Sequence, residues 1–306
     1  MATEIIRRAR PLLGTIFEIA AQGRNRKLVE DGVEEGFREA SRLEAILSYH
    51  SPKSELTRLN RQAHLAPQSV SSETLEVLRF SLKLWGQSAG LFDVSVGKML
   101  AEADFLPMQS SNPRSARSDS SAIHIHGSQV SFENPLTLDF GGVAKGFIVD
   151  RVLARLKDFE LASATVNAGG DLALWAPEPV PVGIRSPLNP GKIVQSITLQ
   201  SGALATSASY NSSKFIEGQH RIPICHPKLG CVRAEQKSVT VIAQSCMIAD
   251  ALTKIVWLDE LGASAILAEF GALAIVLRES ECGLQRRVLP DDGGSSGLSH
   301  RCQPLI

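Results

Sequence analysis

The sequence predicts a protein that combines α-helices with β-strands, and three patterns support this. Apolar residues recur at helical spacing over residues 25–47 and again over 72–88. Residues 136–140 alternate apolar and polar side chains, which is typical of a strand. The stretch 123–132 predicts a β-hairpin, because two short apolar runs flank a turn. The chain has 306 residues, enough for one large domain or two.

The first half of the chain divides into elements in a clear order. A strand near 13–20 is followed by the amphipathic helix 25–47, and a Ser- and Pro-marked turn then leads to a short helix end at 55–60. The next helix, 72–88, is predicted to have its N-cap region at Ser72–Leu75. Gly90 follows this helix and predicts that it has ended there.

Composition excludes several function classes. Lys+Arg and Asp+Glu both total 32, so no net charge favours nucleic acid or an anionic membrane as a partner. Hydrophobic residues make up 43% of the chain, which is ample for a core. No run of eighteen apolar residues occurs, and no apolar stretch of signal-peptide length precedes Pro11. We therefore expect a cytoplasmic protein without a membrane span.

The cysteines favour reduced thiols. They are odd in number and form no CxxC pair, at Cys225, Cys231, Cys246, Cys282 and Cys302. Burial in the core is the expected role of such cysteines. Cys225, His226 and Cys231 are close enough in sequence to suggest a soft metal site. Three potential ligands in one loop, without a fourth, are weak evidence for such a site.

The segment 136–155 predicts a phosphate site. A buried strand, a glycine turn and an amphipathic helix follow one another there, so the turn leads into a helix N-terminus, where free N–H groups and the helix dipole attract anions. Lys145 adds a positive charge, and Asp139 is able to accept bonds from a hydroxyl or a base edge. The alternative is a plain connection, since GGVAKG is neither the Walker pattern nor the dinucleotide fingerprint.

The second half adds three polar segments. Asn167 and Asp171 flank a glycine pair at the end of a predicted strand. Small hydroxyl residues precede Tyr210, an arrangement that suits either a backbone approaching a flat ring or an ordinary serine-rich loop. Asp250 lies in the first turns of a helix that begins at Cys246, where its carboxylate either favours the helix dipole or binds a metal.

Eight segments, taken in order, resemble the ApbE family of flavin transferases, which use FAD to attach FMN through a phosphoester to Thr or Ser of a target protein. The resemblance runs from about Arg8 to Leu277. Any one of these segments is a weak signal, but eight in register are specific. The segments are LLGTIFEI, SYHSPKSELTRLN, SAGLFDVSVG, LDFGGVAKGFIVD, VNAGGDL, VGIRSP, ATSASY and CMIADAL.

The resemblance implies an α+β fold with mixed β-sheets and flanking helices, related to the T-fold. It implies one ApbE-like domain over residues 1–280, with two subdomains around an FAD cleft as one arrangement. The stretch 281–306 is then expected to be a flexible tail, and the polar, proline-punctuated stretch 109–121 a mobile loop or insertion.

The resemblance also implies site residues. The resemblance gives Lys145 a catalytic role, the metal is Mg²⁺, and FAD is the substrate; His226 is the second catalytic residue that we expect, as a replacement for the family's base. The metal ligands are Gly142 and Asp250, with Thr253 as a substitute ligand. The residues expected to contact FAD are Leu13, Tyr49, Leu91, Phe92, Asp93, Asp139, Lys145 and Ile224.

The chain departs from the family pattern at two positions. The family has Thr four residues after the metal-binding acid, whereas this chain has Lys254, and a protonated lysine cannot ligate Mg²⁺. Three arrangements are open. Thr253 rotates in as a substitute metal ligand, or the metal is held by Gly142, Asp250 and waters alone, or the Lys254 ammonium takes the cation's place against the phosphates. In PICHPKLG, Pro223 replaces the His often assigned as base, which leaves His226 or His220 for that role.

Two functions of different class follow from the resemblance. The first is transfer of FMN from FAD to Thr or Ser of a target flavoprotein, with release of AMP. The alternative is an FAD-binding relative without transfer activity, acting as a flavin carrier or sensor or as a slow FAD hydrolase.

Overall fold

The computed structural model describes residues 4–108, 119–216, 218–280 and 283–290. These residues form two compact units. The first unit draws on Met1–Arg42, Lys145–Asn211 and Glu235–Ile306, and the second on Leu43–Ala144 and Ser212–Ala234.

Helices and strands alternate along the described chain. The helices are α1 (Arg26–Leu47), α2 (Glu55–Gln62), α3 (Ser72–Gln87), α4 (Gly97–Glu102), α5 (Ala144–Leu156), α6 (Cys246–Leu258) and α7 (Ala263–Glu269). The strands are β1 (Glu4–Leu12), β2 (Thr15–Gly23), β3 (Gln68–Ser69), β4 (Ile123–His126), β5 (Gln129–Phe132), β6 (Ser163–Ala168), β7 (Asp171–Arg185), β8 (Ile193–Ala208), β9 (Lys214–Ile216), β10 (Gln219–His226), β11 (Gly230–Arg233), β12 (Lys237–Ala243), β13 (Leu273–Ser280) and β14 (Gly283–Leu289).

The first unit is built on one eight-stranded sheet in the order β1-β2-β6-β7-β8-β12-β13-β14. Its ladders are antiparallel, and β12, which is buried along its whole length, pairs with β8 and β13. Helix α6 packs on β8 and β12. A glycine at Gly36 lets α1 approach Ile19 of β2 and Val152 of α5 closely. The sheet thus supports α6, which carries predicted site residues.

The second unit contains two three-stranded sheets, β11-β10-β9 and β3-β5-β4. Helices α2, α3 and α4 belong to the same unit. Every ladder that joins two strands in the described residues is antiparallel, and the parallel pairing there is the isolated bridge between Val96 and Thr137. The α+β class predicted from the sequence is therefore confirmed.

Most predicted elements are present. The helices expected at 25–47, 55–60, 72–88 and in the second half are α1, α2, α3 and α6, and the 123–132 hairpin is β4 and β5. The N-cap of α3 is Ser71 rather than Ser72, since the Ser71 side chain accepts the Thr74 N–H. The hydroxyl-rich stretch before Tyr210 is not a loop but mostly the end of strand β8.

The prediction of a strand at 136–140 is wrong. Only Thr137 makes a strand-like bridge, to Val96. The polar backbone groups of this segment are satisfied in other ways, because Leu138 bonds to the Asn60 side chain and the Asp139 N–H donates to Val94 O at 2.8 Å. Apolar alternation identified the buried side chains correctly but not the hydrogen-bond partners.

The domain boundary at 280 also needs correction, because Gly283–Leu289 forms strand β14 of the large sheet, paired with β13. Residues 291–306 and most of the predicted loop 109–121 lie outside the described residues. Over the part of the chain that the structure describes, no helix is both long enough and apolar enough to span a membrane.

The expectation of reduced thiols is wrong for one pair. Cys225 of β10 and Cys231 of β11 are direct partners in the hairpin register and are joined by a disulfide. This pairing also excludes the soft metal site considered for Cys225, His226 and Cys231. Cys246 is a free, buried thiol, as expected for a core cysteine. Cys282 and Cys302 lie outside the described residues.

Candidate functional site

The first unit holds a cluster of two lysines and two aspartates, which we call the Lys–Asp cluster: Lys145, Asp171, Asp250 and Lys254. Lys145 is the second residue of α5, Asp171 opens β7, and the other two lie one turn apart on α6. Residues four apart on a helix share a face, so Lys254 lies beside Asp250. The cluster brings together three sequence segments that are far apart along the chain.

Helices α5 and α6 approach closely because residue 146 is glycine. A Cβ at Gly146 would overlap the backbone carbonyl of Cys246 at the start of α6. With no side chain in the way, the Gly146 N–H donates to Asp250 Oδ2 at 3.2 Å. The glycine of GGVAKG that follows the lysine therefore serves helix packing and orients Asp250.

Asp150, one turn further along α5, caps the N-terminus of α6. Its carboxylate accepts the backbone N–H of Cys246 at 2.8 Å, that of Met247 at 2.9 Å, and the Ser245 hydroxyl at 2.7 Å. The first N–H groups of a helix lack partners within it, so a carboxylate there satisfies them. Asp150 thus fixes the helix that carries Asp250 and Lys254.

Each acid of the cluster is paired with a lysine. Lys145 Nζ lies 2.6 Å from Asp171 Oδ2 and 3.6 Å from Asp250 Oδ2. Lys254 Nζ contacts Asp250 Oδ1 and lies 3.0 Å from the Asp250 backbone oxygen. The acids are almost fully buried, whereas the side chains of Lys145 and Lys254 are 31% and 18% exposed. The carboxylates of the cluster are therefore more deeply buried than the lysine side chains paired with them.

Burial and mutual charge shift the pKa values in the cluster. Burial alone would lower the pKa of Lys145, but the carboxylates of Asp171 and Asp250 outweigh it and raise that pKa. The pKa of Asp171 is raised by burial and by the neighbouring Asp250. Burial opposes ionisation of Asp250 too, yet Lys145 and Lys254 lower its pKa. Lys145 therefore stays charged, as phosphate binding requires.

Thr253 lies against the same helix turn. Its hydroxyl donates to the Asp250 backbone oxygen at 2.6 Å and shares a hydrogen bond with the Ser207 hydroxyl at 2.7 Å. Lys254 Nζ lies 3.1 Å from the same hydroxyl oxygen. The Thr253 hydroxyl is thus already surrounded by protein partners.

In the second unit, three predicted motifs meet at the segment 136–140. The Asn60 side chain of SELTRLN donates to Leu138 O at 3.0 Å and accepts the Leu138 N–H at 2.8 Å. The backbones of Val94 and Gly97, from LFDVSVG, bond to Asp139 and Thr137. This arrangement places the predicted flavin residues Leu91, Phe92 and Asp93 on a turn next to Asp139.

The predicted flavin side chains in this unit are largely engaged. Asp93 Oδ1 accepts from the Ser95 backbone and hydroxyl and from the Ser120 hydroxyl, each at 2.7 Å. Asp139 Oδ2 accepts the Gly141 N–H at 3.0 Å, in the turn before Gly142. Tyr49 is buried, and its hydroxyl donates to Pro107 O at 3.2 Å.

The β10–β11 hairpin carries Ile224 and His226. Ile224 is buried, and His226 ends β10 opposite Gly230. The Lys228 N–H donates to His226 Nδ1 at 3.1 Å, so the neutral imidazole carries its proton on Nε2. Nδ1 is then the nitrogen able to accept a proton.

Leu13 occupies a strained position in the first unit. It forms the β1–β2 turn together with Gly14, and both residues have positive φ, 56° and 68°. A non-glycine residue in that region is uncommon, which is consistent with a functional turn.

The structure brings Lys145, Asp250 and Thr253 together in the first unit. Gly142 and His226, with Tyr49, Leu91–Asp93, Asp139 and Ile224, belong to the second unit. Sequence reasoning missed Asp150 and Asn60. Asp150 and Asn60 each end a segment already noted for its resemblance, LDFGGVAKGFIVD and SYHSPKSELTRLN.

The donors around Asp250 do not fit the predicted Mg²⁺. Lys254 contacts Asp250 Oδ1, while Asp250 Oδ2 accepts from Gly146 and faces Lys145. Two ammonium groups already balance the two carboxylates, and ammonium groups donate but do not ligate metals. Across the described ranges, no group of three or more His, Cys, Asp or Glu side chains is arranged to hold a metal ion. Magnesium stays a prediction from the resemblance.

Solved structures share this fold. The ApbE protein of Thermotoga maritima superimposes with a TM-score of 0.79 at 23% identity, covering 92% of this chain and 97% of its own. The flavinyl transferase ApbE of Pseudomonas stutzeri gives a TM-score of 0.80 at 20% identity, with coverages of 94% and 95%. These similarities define the class of protein as an α+β protein with the ApbE fold.

Sequence comparison identifies the family. The ApbE family model matches residues 13–276. An FAD:protein FMN transferase of Vibrio cholerae is 30% identical over 223 residues, covering 67% of this chain and 66% of that relative, just under two thirds of its length. One from Escherichia coli is 25% identical over 271 residues, covering 82% and 77%. This chain belongs to the ApbE family.

Proposed function

We propose that this protein transfers FMN from FAD to a Thr or Ser hydroxyl of a target flavoprotein and releases AMP. In that reaction the hydroxyl oxygen bonds to the FMN phosphorus, and the bond from that phosphorus to the bridging oxygen breaks. AMP leaves with the bridging oxygen, and a base takes the hydroxyl proton. Family membership and the names of the relatives support this reaction.

The Lys–Asp cluster is the observation that carries the proposal. Breaking a pyrophosphate requires positive charge beside the phosphoryl oxygens and the leaving AMP. Lys145 and Lys254 have partly exposed side chains, and their ammonium groups are paired with buried acids. Fixed charges of this kind stabilise a developing negative charge without reorganisation at the moment of reaction.

The remaining residues take proposed roles. Leu13, Tyr49, Leu91, Phe92, Asp93, Asp139 and Ile224 stay the proposed flavin-contacting positions. His226 is the proposed base, because Pro223 has no group that accepts a proton. Gly142, Asp250 and Thr253 are the Mg²⁺ ligands that the family resemblance implies, and no step of this proposal passes through a metal. A cytoplasmic location stays a prediction from the sequence.

The test is to incubate the purified protein with FAD and a threonine-bearing flavoprotein peptide while following AMP release and peptide mass. We expect AMP and a peptide that gains FMN through a phosphoester, with no AMP when FAD is replaced by FMN. Retained FAD without AMP would instead favour the flavin carrier. AMP and free FMN without peptide labelling would favour the hydrolase. Both alternatives follow from Pro223, which replaces the residue often assigned as the base in the family.

A further inference from the structure

The ammonium group of Lys254 lies among the kinds of oxygen that a hard cation selects. Its Nζ contacts the Asp250 carboxylate and lies 3.0 Å from the Asp250 carbonyl oxygen and 3.1 Å from the Thr253 hydroxyl. Carboxylate, carbonyl and hydroxyl oxygens are the ligands of Mg²⁺ in proteins. An ammonium group has three N–H donors, and these three oxygens lie within reach of them.

The neighbouring groups complete a balanced charge set. Asp250 Oδ2 accepts from Gly146, and Lys145 is paired to Asp171 at 2.6 Å. Two carboxylates and two ammonium groups sum to zero. A divalent ion added here would face two positive charges within a few ångströms, at a site where water screens charge weakly.

We propose that Lys254 replaces the divalent cation in this chain, so that the pyrophosphate of FAD is held by Lys145 and Lys254 without Mg²⁺. This inference rests on the proposed function. It gives Lys254 a ligand-binding role and predicts that the metal requirement implied by the family resemblance is absent here.

The exposure of the cluster supports this role. The acids are buried to 0% and 5% exposure, whereas both lysines keep part of their side chains open to solvent. An anion approaching from solvent therefore meets the lysine side chains before the buried carboxylates. A lysine present only to neutralise Asp250 would need no access to solvent.

The first experiment measures FAD affinity by quenching of flavin fluorescence, once in EDTA and once with MgCl₂. We expect the unmodified protein to bind FAD with the same affinity, within about twofold, in both buffers. Loss of FAD binding in EDTA, restored by Mg²⁺, would overturn the inference. Absence of FAD binding in either buffer would count against the proposed function.

The second experiment titrates Mn²⁺ alone, followed by electron paramagnetic resonance, and decides the metal question even if FAD does not bind. The unmodified protein should bind no Mn²⁺ at micromolar to low millimolar concentrations. One tightly bound Mn²⁺ per chain would refute the proposal.

Two variants sharpen the test. Lys254→Thr places a hydroxyl four residues after Asp250 and removes the ammonium, so we expect it to bind Mn²⁺ and to bind FAD at least about tenfold more tightly in MgCl₂ than in EDTA. Lys254→Met keeps the length but offers no charge or oxygen, and should weaken FAD binding about tenfold in both buffers. FAD affinity in Lys254→Met equal to the parent would contradict a role for Lys254 in phosphate binding. If the variants fail to fold, the Mn²⁺ titration of the unmodified protein still decides the outcome.

Discussion

The backbone N–H of Gly146 donates to the carboxylate of Asp250, 104 residues later in the chain, at 3.2 Å. This bond exists because α5 lies against the first turn of α6, where Gly146 leaves no Cβ to meet Cys246. A glycine in a phosphate-site motif thereby positions an acid on another helix.

We predict that Gly146→Ala destabilises the protein by about 2–3 kcal/mol, because the added methyl group forces α5 and α6 apart. Gly86→Ala is the matched control, since Gly86 also lies in a helix but has no atom within 4 Å of the Cβ position. There we expect no loss, or a gain of up to about 1 kcal/mol. Urea unfolding of both variants measures the difference. Equal stability of Gly146→Ala and the parent would show that the helices separate without cost.

A second prediction concerns Asp150. Asp150→Asn keeps the shape of the side chain but removes the charge and one acceptor at the N-terminus of α6, so we expect a loss of about 1–2 kcal/mol. Asp158→Asn is the control, because Asp158 pairs with Arg155 at an exposed position and should cost at most about 1 kcal/mol. Thermal and urea unfolding measure both. A larger effect at Asp158 than at Asp150 would show that the cap contributes little.

Apolar spacing predicted helices correctly but predicted a strand at 136–140 that is not there. Amphipathic spacing located α1, α3 and α5 because the core selects one helix face, and that selection is visible along the chain. The same signal failed at 136–140, since a buried extended segment satisfies its backbone either through a ladder or through side chains, and both give alternating apolar residues.

The candidate site shows the same limit. Asp250 and Lys145 were identifiable because they lie in two segments that resemble the ApbE family, CMIADAL and LDFGGVAKGFIVD. The role of Asp150 depends on the approach of α5 to α6, and pairing of Cys225 with Cys231 depends on the hairpin register. Neither follows from local spacing. The sequence did not decide whether Lys254 takes the place of the cation beside Asp250, which was one of three arrangements considered.

A third prediction tests the Asn60 side chain. Asn60→Leu removes both bonds to Leu138 and leaves a buried N–H and a buried C=O without that partner, so we expect a loss of about 2–4 kcal/mol. Gln62→Leu, at an exposed position of the same helix, is the control and should change stability by at most about 0.5 kcal/mol. Unfolding by urea compares them. Equal stability of Asn60→Leu and Gln62→Leu would show that the 136–140 segment does not depend on Asn60.

The last prediction concerns the proposed base. His226 accepts the Lys228 N–H at Nδ1, so the imidazole is oriented and its Nε2 carries the proton in the neutral form. A target hydroxyl that gives its proton to Nδ1 must displace this backbone contact, which makes the hairpin turn part of the acceptor site. We therefore expect His226→Gln to lower kcat for FMN transfer about 100-fold, because general base catalysis contributes at least that much, while FAD affinity stays unchanged.

His220→Gln is the competing variant, since His220 lies on the same strand and packs edge-on against Phe215 with ring centroids 5.2 Å apart. Removing that ring contact should leave kcat within about threefold of the parent, well short of the loss expected for a base. Peptide labelling under saturating FAD, combined with fluorescence measurement of FAD binding, separates the two residues. A loss of transfer confined to His220→Gln would move the base to His220, and full activity in both variants would show that neither histidine takes the proton.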